Sequence, residues 1–439
     1  MNDLAASAAG ALRGVGALFA ARALVGVSTL VVFALMARIL TQTDFGLFAL
    51  AYSLSYLFAA VLEGGHGLLV VRDLAQRPRE AGRYLGALIL LRLLVGGPLL
   101  VITLGGVLAF GDSPAALLLV LALVAHLQVF AGLPREVLIA GDRISLAAAH
   151  SIAETVLRTA ALLAAAAAFG SVLAAFVAAA VIHAAWAAAG LVLLWRTMDL
   201  KDFAAGAGEW RTILRRSLPF GAFIVLAAAY SQVDVVIVSL LMPLSAVGVF
   251  LAAFRILIAA DYLPEAAWRW SYPRLSRAAM AGPSELAIQI TTLSRALVFA
   301  GIGTGTLIFL VAPQLIPGLY GDRFATAVLP MQVLALTIPI RFVAHAYGAG
   351  LSAAGVQRRR SQILLAVIII SGAVQFILVS IFGLIGATAG VAISAAVLVG
   401  LYVAVARRIP QMHLGLSPVA LAAAFAVGGA SLLAVATSR

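Results

Sequence analysis

Apolar runs long enough to cross a bilayer follow one another along almost the whole chain, separated by short polar stretches, and that spacing leaves few folds open. A helix needs roughly 20 residues to traverse the hydrocarbon. Runs of this kind fall at 15–38, 45–69, 84–110, 115–139, 146–168, 171–195, 217–241, 245–271, 289–315, 326–353, 362–382, 385–406 and 416–436. In lipid every backbone polar group has to be satisfied within the protein, so runs of this length predict helices rather than open sheets. Composition agrees: 64% of the 439 residues are hydrophobic and 10% charged, more apolar surface than a water-soluble fold could hide. The chain is expected to be an all-α polytopic membrane protein of about 12–14 transmembrane helices. Arg13 precedes the first run, which passes signal-peptide length without a small-residue cleavage site and is expected to be a retained span.

The net charge of +12 is spread through short loops rather than gathered into a nucleic-acid-binding patch. The basic loops alternate along the chain: Arg72, Arg77, Arg79 and Arg83; Arg143; Arg196, Lys201, Arg211, Arg215 and Arg216; Arg274 and Arg277; Arg358, Arg359 and Arg360; Arg407 and Arg408. Intervening loops carry almost no basic residues, Arg323 being the exception. The positive-inside rule then puts the N-terminus and the basic loops in the cytoplasm, as expected of an inner-membrane protein. Cysteine is absent, which excludes disulfides, thiol nucleophiles and zinc-thiolate sites. Histidines 66, 126, 150, 183, 345 and 413 show no i, i+4 pairing, so no metal site is expected. The longest loop, 196–216, is too short for a separate catalytic domain. An enzyme is therefore not expected, and any transport happens within the bundle.

The two halves repeat. Gly46-Leu47-Phe48-Ala49-Leu50-Ala51-Tyr52 parallels Gly248-Val249-Phe250-Leu251-Ala252-Ala253-Phe254, Ala140-Gly141 parallels Ala354-Gly355, and Phe169-Gly170 parallels Phe382-Gly383. A shift of six spans keeps orientation, which predicts two six-helix lobes related by a parallel pseudo-two-fold axis along the membrane normal. The expected divisions are an N-terminal lobe at 1–196, a linker at 197–216, a C-terminal lobe at 217–409 and an extra helix at 410–439. Pro219, Pro243, Pro264, Pro313, Pro330 and Pro339 make spans seven to ten the place to expect bends.

The strings that repeat also carry a resemblance. ILTQTDFGLFALAYSL at 39–54, LEGGHGLLVVRDLA at 62–75, the stretch 215–256 opening RRSLPFGAF, YPRLSR at 272–277, LIPGLYGDRFATAVLPMQVLAL at 315–336 and FGLIGATAGVAIS at 382–394 resemble bacterial polysaccharide flippases of the multidrug/oligosaccharidyl-lipid/polysaccharide superfamily. The resemblance covers nearly the whole chain. It implies movement of undecaprenyl-diphosphate-linked oligosaccharide from the cytoplasmic to the periplasmic leaflet, with the bilayer, a polysaccharide polymerase and export machinery as partners and no nucleic acid. It implies no bound cofactor, and coupling to H+ or Na+. Members usually have twelve or fourteen spans, so 416–436 is either re-entrant, surface-lying or lacking a mate. A cation-coupled multidrug antiporter shares the superfamily; a membrane glycan polymerase or ligase is the rival from another class, but usually needs a large periplasmic loop.

Charges inside the membrane are costly and turn toward an interior or a wet cavity. Arg22, Arg92 and Arg295 fall inside the cytoplasmic ends of their spans, and Arg158, Arg255 and Arg341 nearer the midplane. Guanidinium groups grip phosphate oxygens in a bidentate way, so these six are the expected diphosphate-binding residues, each alternatively snorkelling or paired. Among the acids, Asp234 shares a helical face with Tyr230 and has no local partner; it is the first candidate for a coupling ion, or else pairs with Arg255 across a hairpin. Glu63 beside Gly64 and Gly65 marks a broken-helix site or a span end. Glu154 is a further candidate, against an i, i+4 pair with Arg158, and Asp261 lies on the face of Glu265 and Arg269.

Overall fold

The computed structural model describes residues 24–77, 80–110, 113–198, 201–409 and 417–437, and among these residues all regular structure is helical. The order is α1 (Leu24–Ile39), α2 (Gln42–Glu63), α3 (His66–Gln76), α4 (Ala81–Phe110), α5 (Ser113–Ala140), α6 (Ile144–Phe169), α7 (Val172–Thr197) and α8 (Phe203–Gly206). There follow α9 (Trp210–Leu241), α10 (Leu244–Ala260), α11 (Tyr262–Ala281), α12 (Pro283–Tyr320), α13 (Val328–Ala335), α14 (Ile338–Ala353), α15 (Gln357–Ala406) and α16 (Ser417–Thr437). Among the described residues nine helices are long and apolar enough to cross a membrane, and the pair Asp322–Ala335 with Ile338–Ala353, bent by 47°, makes a tenth. Leucine, valine and isoleucine lie exposed along many of them, including Val101, Ile102, Leu240, Leu307, Ile369 and Ile381, as a lipid-facing surface requires.

Several apolar runs are subdivided. The second run breaks after Glu63, where Gly64 (φ 51°) and Gly65 (φ 76°) adopt the left-handed conformation. The eighth breaks at Asp261 and the tenth between Ala335 and Ile338. Three of the prolines expected to kink helices instead open them: Pro264, Pro330 and Pro339 are the third, third and second residues of α11, α13 and α14. Proline is tolerated in a first turn, whose N–H groups have no helical acceptor, so the chain breaks just before it. Runs 362–382 and 385–406, labelled together α15, are two helices that turn back on each other at Gly383 (φ 56°, ψ −132°), where Gln375 Nε2 donates to the Ala387 carbonyl at 3.0 Å. The final helix, α16, packs against α12 and α14, with Phe425 reaching Gly305.

The chain divides into two compact units, one holding Leu47–Ala228 with the chain up to Leu40, the other Thr41–Gly46 with Ala229–Arg439. In the first, α5 packs on α4, α6 and α7, and α8 lies along α4. There Gly86 and Gly206 permit backbone contact: a side chain on Gly86 would overlap the Phe203 carbonyl. At the first turns of α9, Arg216 pairs with Asp73 (2.6 Å), which accepts from Tyr84 (2.9 Å). In the second unit, α12 and α14 form the central pair, and α10, α11 and α13 fill around them.

The turns that end α5 and α14 share one backbone pattern, a common helix C-terminal motif. In the turn after α5, Gly141 N bonds Val137 O, Asp142 N bonds Ile139 O and Arg143 N bonds Leu138 O; after α14, Ala354, Gly355 and Val356 bond Gly350, Ser352 and Leu351 in the same pattern. Asp142 (φ 57°) thus takes the place of Gly355 (φ 75°), whereas Gly170 (φ 59°, ψ 22°) and Gly383 (φ 56°, ψ −132°) share a positive φ but differ in ψ. The pairing of Ala140-Gly141 with Ala354-Gly355 therefore shifts by one residue, to Ala353-Ala354. At the earlier pair the two copies meet: a side chain on Gly46 would strike the Leu244 carbonyl, and one on Gly248 would come within 2.9 Å of the Gln42 carbonyl. Each glycine is the fifth residue of its helix and rests on the first residue of the other, a local two-fold crossing.

Candidate functional site

In the second unit the break between α10 and α11 leaves Asp261 at a helix end, where its side chain is free to reach sideways to α14. Arg341 Nε donates to Asp261 Oδ1 at 3.3 Å and a second guanidinium N–H to Oδ2, a two-pronged pair with both side chains 15% exposed. One turn on, His345 Nε2 lies 3.9 Å from the same carboxylate. Asp234 is buried on α9, a turn from Tyr230, and both lie within electrostatic reach of Arg341. Asp234 Oδ1 has no hydrogen-bond partner among the described residues. Two carboxylates, Asp234 and Asp261, therefore lie within electrostatic reach of Arg341. Tyr402 of α15 closes the group beside Tyr230 and accepts from Arg360 Nε at 3.4 Å.

The local reason for this assembly is spacing. Tyr230 and Asp234 are four apart on α9, and Arg341 and His345 four apart on α14, so each pair presents one face. Sequence reasoning selected Asp234, Asp261 and Arg341 separately; the structure brings the three together. The charge of Arg341 acts on Asp234. Arg255 is buried on α10, and Arg295 lies exposed on α12.

In the first unit Arg92 is 1% exposed, donating to Glu136 Oε2 (3.0 Å) and the Val129 carbonyl (2.8 Å). Glu136 escaped the sequence reading; an acid just inside the end of the fourth run, beside Arg135, was the available signal. Glu63 accepts from the amides of Gly65 and Gly67, each at 3.0 Å, and so caps α3 across the break. Glu154 is held by His183 Nδ1 at 3.1 Å rather than by Arg158, because α6 and α7 pack face to face. Nearby, Trp186 Nε1 donates to the His150 carbonyl at 3.1 Å. Arg158 is half-buried on α6. Arg13, Arg22 and His413 lie outside the described residues. No group of three or more His, Asp or Glu side chains with metal-binding geometry occurs among the described residues.

The sequence matches the family described as polysaccharide biosynthesis protein over residues 11–279. No curated protein matches it in sequence. Among solved structures, the fold is similar to an inward-facing multidrug resistance MATE family transporter of the MOP superfamily (TM-score 0.69, 16% identity, 88% of this chain and 95% of that one). It is also similar to the lipid II flippase MurJ in an inward closed conformation (TM-score 0.68, 12% identity, 98% and 100%). A third likeness is to a MOP superfamily transporter from Pyrococcus furiosus, described as having a binding pocket of reverse polarity (TM-score 0.61, 14% identity, 91% and 96%).

Proposed function

The chain belongs to the polysaccharide biosynthesis protein family, and on that premise we propose that it is a flippase carrying undecaprenyl-diphosphate-linked oligosaccharide across the bacterial inner membrane by alternating access. The family match supports a substrate of polysaccharide biosynthesis. The fold alone would not, since it is shared with a multidrug transporter and with a lipid II flippase. Arginine at membrane depth supports the choice of an anionic cargo: Arg92, Arg158, Arg255, Arg295 and Arg341 lie on spanning helices, where a cation is costly, and Arg92 and Arg341 meet carboxylates that a phosphate would have to replace. In this reading the N-terminus and basic loops are cytoplasmic, the diphosphate enters from that side, and the product is handed to polymerase and export machinery.

Coupling is proposed at Asp234 and Asp261. Arg341 is occupied by Asp261, so its fork is available to a phosphate only when that carboxylate is neutralised. A proton or Na+ arriving at the Asp234–Asp261 pair would weaken the Asp261–Arg341 pair, and binding of the diphosphate by Arg341 would favour the neutralised state in return. The test is complementation. A deletion strain is expected to lose surface polysaccharide and accumulate lipid-linked units; wild-type chain restores export, while Arg341→Ala and Arg255→Ala do not. Full rescue by both variants would contradict a role for arginine in binding, and a strain that exposes short glycan without accumulating lipid-linked units would point to a polymerase instead.

A further inference from the structure

The string YPRLSR at 272–277 lies where the eighth apolar run gives out: the segment apolar enough to cross a membrane ends at Tyr272, and α11 continues to Ala281. Along this helix the outward residues form one stripe. Leu263 (50% exposed), Trp270 (67% exposed), Arg274 and Arg277 follow one another at helical spacing, while Pro264, Ser271, Leu275 and Ala278 are buried and α11 packs on α12 and α14. The stripe is apolar first, then aromatic, then cationic. Arg274 Cζ lies 4.1 Å over the Trp270 ring, and the neighbouring Trp268 and Tyr272 rings meet edge-on at 5.4 Å. A guanidinium stacked by its face keeps its N–H donors free around its edge. Among the described residues no carboxylate pairs with Arg274 or Arg277; Glu285, in the first turn of α12, accepts from Gln289 instead.

We propose that this stripe is a binding site for an anionic phospholipid, with the acyl chains along Leu263, the glycerol region against Trp270 and the phosphate on the free edges of Arg274 and Arg277. The order of the stripe is the order of a lipid read from tail to headgroup. Its spacing agrees: Trp270 and Arg274 are one turn apart, about 6 Å along the axis, and the polar layer on each side of the hydrocarbon is roughly 5–8 Å thick. Tryptophan and tyrosine settle at that boundary, where the ring is in apolar surroundings and its polar edge is wet. A zwitterionic headgroup brings no net charge to two guanidiniums that have no carboxylate of their own, whereas an anionic one does. A soluble protein fits less well as the occupant, because Leu263 lies within the membrane-crossing segment. A lipid held here fastens the far end of α11, whose near end carries Asp261. The site is distinct from the cargo and coupling residues, and it stands whether or not the cargo is a lipid-linked glycan.

The test is fluorescence quenching of the full chain in phosphatidylcholine vesicles that carry a minor share of either brominated phosphatidylglycerol or brominated phosphatidylcholine. The chain has five tryptophans, so the Trp270 signal is taken as the difference between the wild type and Trp270→Phe. That signal is expected to be quenched more strongly by the brominated phosphatidylglycerol. A guanidinium beside an anionic membrane surface is worth about fivefold in affinity, so Arg274→Gln together with Arg277→Gln is expected to abolish the preference. Both arginines are exposed, and the double variant is expected to fold, which its melting temperature checks. Arg274→Lys keeps the charge without the stacked plane and is expected to retain only part of the preference; full retention would overturn the role given to the stacked guanidinium. Equal quenching by the two lipids in the wild type, or an unchanged preference in the double glutamine variant, would overturn the proposal. So would quenching of Trp270 by aqueous iodide with none from either brominated lipid, the result expected of a face turned to water and to a soluble partner.

Discussion

Arg92 and Glu136 are two buried charges that tolerate each other's presence and not each other's absence. Removing one partner of such a pair costs about 3–5 kcal/mol, because the survivor stays charged and dry, whereas removing both costs far less. Glu136→Ala is therefore expected to lower the melting temperature of the detergent-purified chain sharply, and Arg92→Met with Glu136→Leu to recover most of the loss; a double variant as unstable as Glu136→Ala would show that the pair contributes through packing instead. Asp261 and Arg341 differ, since they share their surroundings with the unpartnered Asp234 oxygen. Asp261→Asn is expected to leave stability nearly intact while abolishing any dependence of transport on a proton or sodium gradient. Retained gradient dependence in that variant would move the coupling site away from Asp261.

At the level of elements, glycine decides where helices break and where they touch. Gly170 (φ 59°, ψ 22°) is left-handed and spares the roughly 1–2 kcal/mol that a side chain pays there, whereas Gly383 (φ 56°, ψ −132°) lies where essentially only glycine goes. Alanine at Gly170 should destabilise the chain modestly in thermal unfolding and alanine at Gly383 more; equal losses would contradict this difference. Gly46 and Gly248 cross backbone to backbone, so valine at either should be far more damaging. The sequence spelled this pairing because glycine before an apolar run leaves a mark at fixed spacing. It did not spell the break at Asp261 or the partner of Glu154. Those depend on which helix lies alongside, and His183 is 29 residues from Glu154, beyond any helical periodicity. Glu136 went unseen for the same reason: its partner Arg92 comes from another helix.

For the whole molecule, the order of apolar runs was enough to establish an all-helical membrane protein with an internal repeat, since lipid admits so few alternatives. Function was less legible. The arginines could be placed at depth from the sequence, yet whether each grips cargo or a carboxylate depends on three-dimensional neighbours, and at least two of them, Arg92 and Arg341, hold carboxylates in this conformation. Under the proposed function, the carrier trades a carboxylate for a phosphate as it turns over. The most direct measurement is flipping itself: the purified chain reconstituted in liposomes that carry undecaprenyl-diphosphate-linked oligosaccharide, with a membrane-impermeant glycosidase added outside. Flipping should let the glycosidase digest the inner-leaflet share of the glycan as well as the outer, at a rate that falls in Arg341→Ala. Digestion that stops at the outer-leaflet share, as in protein-free liposomes, would contradict the account.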